Sequence, residues 1–313
     1  MGGLPRYAMV TLVTLAVAAL AACSAGDQDP QPTRTAPSQI GTPAAAATVA
    51  PGSTGTVELG DRPFRLHVPP GYDPSTPVPL VVGLHGYTSN STENDSFFGL
   101  SATADERGYL LALPEGTVNP AGDQFWNAVE GGCCDFYGSD VDDVAYLSSV
   151  IATVRAAYDV DQVVMIGHSN GGYMAHRFAC DRADEVDAIT ALAGTLPYDT
   201  SRCQPSEPVR VLHIHGDSDE TVAYGGSAGA SSASAEDTVA TWAELDGCAL
   251  SAEQFPAIDL ETSIEGAETT RTVFDQGCAD GGGVELWTIA GGRHVPTLSA
   301  DTAAMALDFM LGA

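Results

Sequence analysis

The sequence predicts an α/β domain built on a mainly parallel sheet with helices on both faces. Three observations predict it. From about residue 56 onward, short apolar runs alternate with helical stretches. The runs are apolar at nearly every position, as strands buried on both faces must be. A glycine-flanked serine then joins one of these runs directly to a helical pattern.

The elements follow in order. Residues 57–59 and 64–68 read as an opening antiparallel pair across the Gly60-Asp61 turn. Residues 79–84 form the first buried run, and 109–113, 163–166, 188–193, 209–214 and 284–289 repeat its character. Helical stretches lie at about 100–107, 142–158, 170–180, 237–245 and 301–311. At roughly 100–200 residues per domain, the 313 residues allow one large domain or two small ones. No internal repeat divides the alternation, so residues 56–313 are expected to be a single catalytic domain.

The N-terminus has a different character. Arg6 precedes an apolar run over residues 8–22, too short for a comfortable membrane span, and 1–22 read as a signal peptide. The run ends in Leu20-Ala21-Ala22-Cys23, which resembles a bacterial lipoprotein lipobox. That resemblance implies cleavage before Cys23 and a diacylglycerol on its sulfur, with the acyl chains as membrane anchor. Residues 24–55 hold five prolines and only Ile40 and Val49 as large apolar residues. They cannot bury a core, so residues 23–55 read as a lipidated cysteine and a disordered tether. The expected location is the extracytoplasmic face of a bacterial membrane, or the secreted fraction.

Charge and cysteine usage narrow the function. The 41 acidic and 12 basic residues give a net charge of −29, and every base is arginine. A nucleic-acid partner is excluded, because it needs a basic footprint. Setting Cys23 aside leaves six cysteines, an even number that fits disulfides in an exported chain. There is no C-x-x-C pair and no H-x-x-x-H helix, so no metal and no cofactor are expected.

Gly167-His168-Ser169-Asn170-Gly171 matches G-x-S-x-G between a strand and a helix. This is a nucleophile elbow, in which a strained turn lifts the serine hydroxyl toward substrate. Such a serine needs a base and an acid that orients the base, in the chain order serine, acid, histidine. His294, after the last strand, is the candidate base; His213 lies inside an apolar strand and reads as core, and His215 ends that strand and reads as positioning the adjacent loop. The loop after this strand offers Asp217, Asp219 and Glu220, which spacing alone does not separate. The oxyanion donors are expected to be the backbone N–H groups of Asn170 and of Tyr87, with Thr88 the neighbour that could replace Tyr87.

Leu84-His85-Gly86, Phe125-Trp126-Asn127, Gly132-Cys133-Cys134, Val141-Asp142-Asp143-Val144, the serine motif, His215-Gly216-x-x-Asp219-x-x-Val222 and Gly291-Gly292-x-His294 occur in one order. Together they resemble the polyhydroxybutyrate depolymerase / feruloyl esterase family of α/β-hydrolases, over nearly all of residues 56–313. The resemblance implies Ser169, Asp219 and His294 as a triad and selects Asp219 among the three acids. It also implies bonds Cys180–Cys203 and Cys248–Cys278, which leaves Cys133 and Cys134 as a vicinal pair or as thiols. Trp126 aligns with a tryptophan near the family's active site and is the candidate for the substrate pocket; the alternative is a buried packing tryptophan. Asp142 and Asp143 open a helix and read as a cap and a structural contact. The family often carries an aromatic residue and a proline shortly after the histidine, whereas Val295-Pro296 follows directly here.

The expected function is a serine carboxylic-ester hydrolase acting on small or oligomeric esters, of hydroxyalkanoate, feruloyl or acetyl type. Two alternatives are a serine peptidase of the same fold and a non-catalytic lipid-anchored binding protein. The first would need a large additional domain, and the second would be expected to lack a triad member.

Overall fold

The apolar runs are strands of one ten-stranded sheet. The structure, a computed structural model, describes residues 48–129, 132–197, 199–227, 229 and 232–312. The signal peptide, Cys23 and most of the expected tether lie outside the described residues.

The strands are β1 Ser53–Val57, β2 Phe64–Val68, β3 Val78–Leu84, β4 Leu110–Leu113, β7 Val160–His168, β8 Ala188–Leu192, β9 Arg210–Gly216, β10 Glu253–Ile258, β11 Thr269–Phe274 and β12 Val284–Ile289. A separate small hairpin pairs β5 Thr117–Val118 with β6 Gln124–Phe125. The helices are α1 Ser91–Phe98, α2 Leu100–Arg107, α3 Asp143–Arg155, α4 Asn170–Asp181, α5 Ala235–Leu245 and α6 Thr302–Leu311. Across the sheet the order is β1-β2-β4-β3-β7-β8-β9-β12-β11-β10, and the six central strands, from β4 to β12, run parallel. Antiparallel pairs finish both edges.

Strand periodicity divides the core in two. Side chains alternate across a pleated strand, so Leu80 and Val82 of β3 enter one core while Val81 between them enters the other. The first core packs against Leu147 and Val150 of α3, Met174 and Phe178 of α4, and Val239 and Trp242 of α5. The second packs against Phe98 of α1, Leu100 of α2 and Leu307 and Met310 of α6. Each such aliphatic or aromatic side chain contributes roughly 1.5–3 kcal/mol by leaving water. The expected layered arrangement is therefore the observed one.

Three segments differ from the sequence reading. The fold begins before residue 56: β1 starts at Ser53, and the Val49 N–H donates to the Tyr158 hydroxyl at 2.8 Å. The small polar residues that read as tether form an edge strand, which needs only one covered face. Residues 91–98 are a helix that lacks an apolar stripe; it is defined instead by its ends, with Asn90 capping the Thr92 and Glu93 N–H groups and Gly99 closing it at φ +72°. Residues 251–276, read as an insertion of little apolar content, include the β10–β11 edge hairpin. β10 is almost wholly exposed, and its register slips between Phe255 and Ile258, where Pro256 sits. A proline in a sheet is tolerated at such an edge irregularity.

Candidate active site

The C-terminal ends of the parallel strands are where an open α/β sheet leaves room for a ligand. β7 runs into α4 at that edge, and Ser169 sits between them with φ +53° and ψ −117°. This conformation is sparsely populated for a residue with a Cβ, and the surroundings impose it. A Cβ on Gly167 would lie 2.3 Å from the Gly171 carbonyl oxygen, and one on Gly171 would lie 2.1 Å from that of Leu84. Only glycine lets strand, turn and helix approach this closely. The Ser169 N–H is held by the Leu192 carbonyl of β8 at 2.8 Å.

The loop after β12 brings His294 over the serine. His294 Nε2 lies 2.9 Å from Ser169 Oγ, and its Nδ1 lies 2.8 Å from Asp219 Oδ2. The other Asp219 oxygen accepts from the Thr221 and Val222 N–H groups at 2.7 and 2.8 Å. Burial alone would raise the pKa of this carboxyl. The donors from His215, His294 and Val222 outweigh burial and hold it well below the usual carboxylate range. It therefore stays ionised and can stabilise an imidazolium at His294.

The two rival acids are placed elsewhere. Glu220 pairs with Arg293 at 2.9 Å on the surface. Asp217 is exposed and accepts from the Gly291 N–H at 2.7 Å, tying the histidine loop to the acid loop. His168, adjacent to the serine, was not singled out by sequence. Its Nε2–H donates to the His294 carbonyl at 2.8 Å, and burial lowers its pKa to about 4, so the ring stays neutral.

The loop after β3 supplies the second half of the site. The Thr88 N–H is taken by the Gln124 carbonyl at 2.9 Å. The Tyr87 N–H has no such partner among the described residues, and the Asn170 N–H is the first of its helix, outside the intrahelical ladder. Between Tyr87 and Thr88 as oxyanion donor, the hydrogen bonding favours Tyr87. His85 shapes this loop: its Nδ1–H donates to the Gly86 carbonyl at 2.7 Å and its Nε2 accepts from the Gly116 N–H at 2.9 Å.

Of the two readings of Trp126, pocket and packing, the pocket one is corrected. Its side chain is fully buried, so it does not line a substrate pocket. The indole N–H donates to the His85 carbonyl at 3.0 Å, and the backbone exchanges two hydrogen bonds with the Asn170 side chain at 2.7 and 2.9 Å. A tryptophan near a site in sequence gives no sign of which way its ring faces. Here it packs beneath the site and ties both expected oxyanion loops together. Of the two acids that open α3, Asp142 caps the Ala145 N–H and buried Asp143 pairs with Arg62 at 2.7 Å.

The expected cysteine pairs Cys180–Cys203 and Cys248–Cys278 are bonded, and Cys133 is bonded to Cys134. Among the described residues, no group of three or more His, Cys, Asp or Glu is arranged to hold a metal ion.

Residues 79–243 match the family described as the alpha/beta hydrolase fold. A provisionally assigned esterase, NocK, of Nocardia uniformis subsp. tsuyamanensis is 33% identical over 68% of this chain and 64% of its own length. Feruloyl esterase C of Emericella nidulans is 31% identical over 56% of this chain and 61% of its own. The chain thus spans less than two thirds of these relatives. The solved acetyl xylan esterase of Aspergillus awamori superposes with a TM-score of 0.62 at 14% identity, covering 84% of this chain and 100% of that one, a likeness of fold.

Proposed function

Because the chain belongs to the alpha/beta hydrolase fold family, we propose that it is a serine carboxylic-ester hydrolase working through Ser169, His294 and Asp219. The observation that carries the reading is the unbroken hydrogen-bond chain from Ser169 Oγ through His294 to Asp219. Ser169 Oγ attacks the ester carbonyl while its proton passes to His294 Nε2. The carbonyl oxygen becomes an alkoxide facing the Tyr87 and Asn170 N–H groups, which gain most when the charge is fully developed. Collapse breaks the ester C–O bond, and His294 returns the proton to the leaving alcohol. Water then attacks the acyl carbonyl as its proton passes to the same imidazole; collapse breaks the bond between that carbon and Ser169 Oγ, and the proton returns to Oγ as the acid leaves.

The substrate class is feruloyl or acetyl esters, or hydroxyalkanoate oligomers. The feruloyl esterase relative supports the first, and the resemblance stated from the motifs supports the last. The leader makes the protein an exported lipoprotein held through Cys23, with catalysis independent of the anchor.

Fluorophosphonate labelling tests the mechanism: the unaltered protein is expected to label and Ser169→Ala not to. Rates on p-nitrophenyl acetate, methyl ferulate and hydroxybutyrate oligomers rank the substrates; no turnover on any ester would defeat the reading. Cys23→Ser is expected to move the protein from the membrane to the soluble exported fraction with activity per molecule unchanged.

A further inference from the structure

Behind Asp219 lie two imidazoles that the reaction above does not use. His213 and His215 are fully buried and stand two residues apart on β9, hence on one face of the strand. His213 Nε2 lies 3.1 Å from His215 Nδ1. His215 Nε2 lies 2.9 Å from the Val222 carbonyl and 3.3 Å from Asp219 Oδ2. Packing alone does not call for either ring, since Val211, Leu212 and Ile214 fill the same strand with aliphatic side chains.

The hydrogen-bond roles can be assigned by elimination. A carbonyl only accepts, so His215 Nε2 carries a proton. Burial, with His215 and His176 close by, holds the pKa of His213 well below its ordinary value, so that ring is neutral with one proton. On Nε2 this proton is donated to His215 Nδ1. On Nδ1 it would meet no acceptor among the described residues, and a buried donor left unmade costs about 1–3 kcal/mol. The first placement wins, and both rings then donate in the same direction.

We propose that His213 and His215 form a one-directional imidazole relay that aims Asp219 at His294, both acting as positioning residues. His215 grips the 219–222 turn through the Val222 carbonyl, while the Val222 N–H grips Asp219 Oδ1. The aspartate is thereby held from two sides, with Oδ2 turned toward His294. The His215 Nε2–H also stands 3.3 Å from Asp219 Oδ2, where a donor favours the ionised carboxylate. The role rests on the esterase reading; the hydrogen-bond polarity does not.

The test has two arms on the full-length protein. Histidine 15N shifts, read at about pH 8 where an ordinary imidazole carries a single proton, are expected to show His213 and His215 as Nε2–H tautomers. A doubly protonated His215, or an Nδ1–H tautomer at either ring, overturns the relay. In the second arm His215→Phe keeps an aromatic ring and removes the donor. Its kcat on p-nitrophenyl acetate is expected to fall about 10- to 100-fold, the scale seen when a group that orients a reactive ligand is lost, with KM within about twofold. His215→Gln, which can donate from nearly the same place, is expected to recover most of that loss. An unchanged kcat in His215→Phe, or no recovery in His215→Gln, overturns the proposal. If these variants do not fold, the tautomers of the unaltered protein decide alone. Full hydrolysis by Ser169→Ala would instead defeat the esterase reading and leave the tautomers as measured.

Discussion

Two buried aspartates bracket β9, and their pKa values shift in opposite directions. Asp219, just beyond the strand's C-terminal end, accepts from the Thr221 and Val222 N–H groups and from two imidazoles, at 2.7 to 3.3 Å. Asp246, at the other end, accepts from the Val209 and Gly283 N–H groups at 3.1 Å each. Burial is the largest influence on both. At Asp246 burial wins, and the pKa rises to about 6 in spite of the two donors and nearby Arg210. At Asp219 the shorter and more numerous donors win, and the carboxyl stays ionised. Burial alone therefore does not identify a catalytic acid; the number and quality of donors decide.

Substitution at the two positions gives the largest expected contrast. Asp219→Asn, Ser169→Ala and His294→Ala should each lower kcat by on the order of 10³-fold or more, because groups of this kind act as a unit. Asp246→Asn should leave kcat within about threefold, since its carboxylate accepts from the Val209 and Gly283 N–H groups at the opposite end of β9 from Asp219. Steady-state rates on p-nitrophenyl acetate check both. Equal losses at the two positions would erase the distinction between them.

A second contrast concerns the cross-link ahead of β9. Cys180 lies near the end of α4 and Cys203 precedes β9, closing a separation of 23 residues. Cys180→Ala with Cys203→Ala should cost roughly 3 kcal/mol on chain-entropy grounds, read as a fall in Tm. If the bond also fixes the nucleophile helix relative to the acid loop, kcat at low temperature falls with it; an unchanged kcat limits the bond to stability.

The pH dependence separates the aspartates further. A carboxyl whose pKa is raised by folding binds its proton more tightly in the folded state. Its contribution to stability is greatest below the unfolded value of 3.8 and is lost as pH rises to about 6. The loss corresponds to roughly 3 kcal/mol. Asp219, with its lowered pKa, contributes in the opposite sense: stability that is full above its unfolded value and lost only under strong acid. Denaturant melts of the unaltered protein and Asp246→Asn should therefore show the difference in their stabilities shift between about pH 4 and 7, against the Asn variant as a non-titrating reference. A constant difference would mean that Asp246 does not carry the raised pKa.

Much of this was legible in the sequence, and the reasons differ by element. Strands β3, β7, β8 and β9 are apolar because both faces are covered, so composition exposes them. Ser169 and His294 are marked by glycines that close approach requires. Asp219 needed the family pattern, because Asp217 and Glu220 differ from it only in where their side chains point. β10 and α1 are not legible, because an exposed edge strand and a helix of polar residues carry no apolar period. For Trp126 the sequence leaves pocket and packing both open, because ring direction is set by the packing of three loops distant in sequence. His168 was legible only as the x of the serine motif, and its hydrogen bond to the His294 carbonyl spans 126 positions.

The smallest expected effect is at Asp217, two residues from Asp219. Its carboxylate is exposed, and its structural task is to accept the Gly291 N–H at 2.7 Å. An asparagine retains one acceptor oxygen and can keep that bond, so the histidine loop should stay in place. Removal of an exposed charge that is one loop away from the imidazole should change kcat by less than about threefold, within the range of ordinary surface substitutions. Asp219→Asn differs because an amide nitrogen facing His294 Nδ1 would replace an acceptor with a donor and favour the wrong imidazole tautomer. Parallel kinetics of Asp217→Asn and Asp219→Asn therefore measure how much of the acid's effect comes from geometry rather than from nearby negative charge. A large loss at Asp217 with little loss at Asp219 would transfer the acid's role to Asp217, and with it the basis of the comparison along β9.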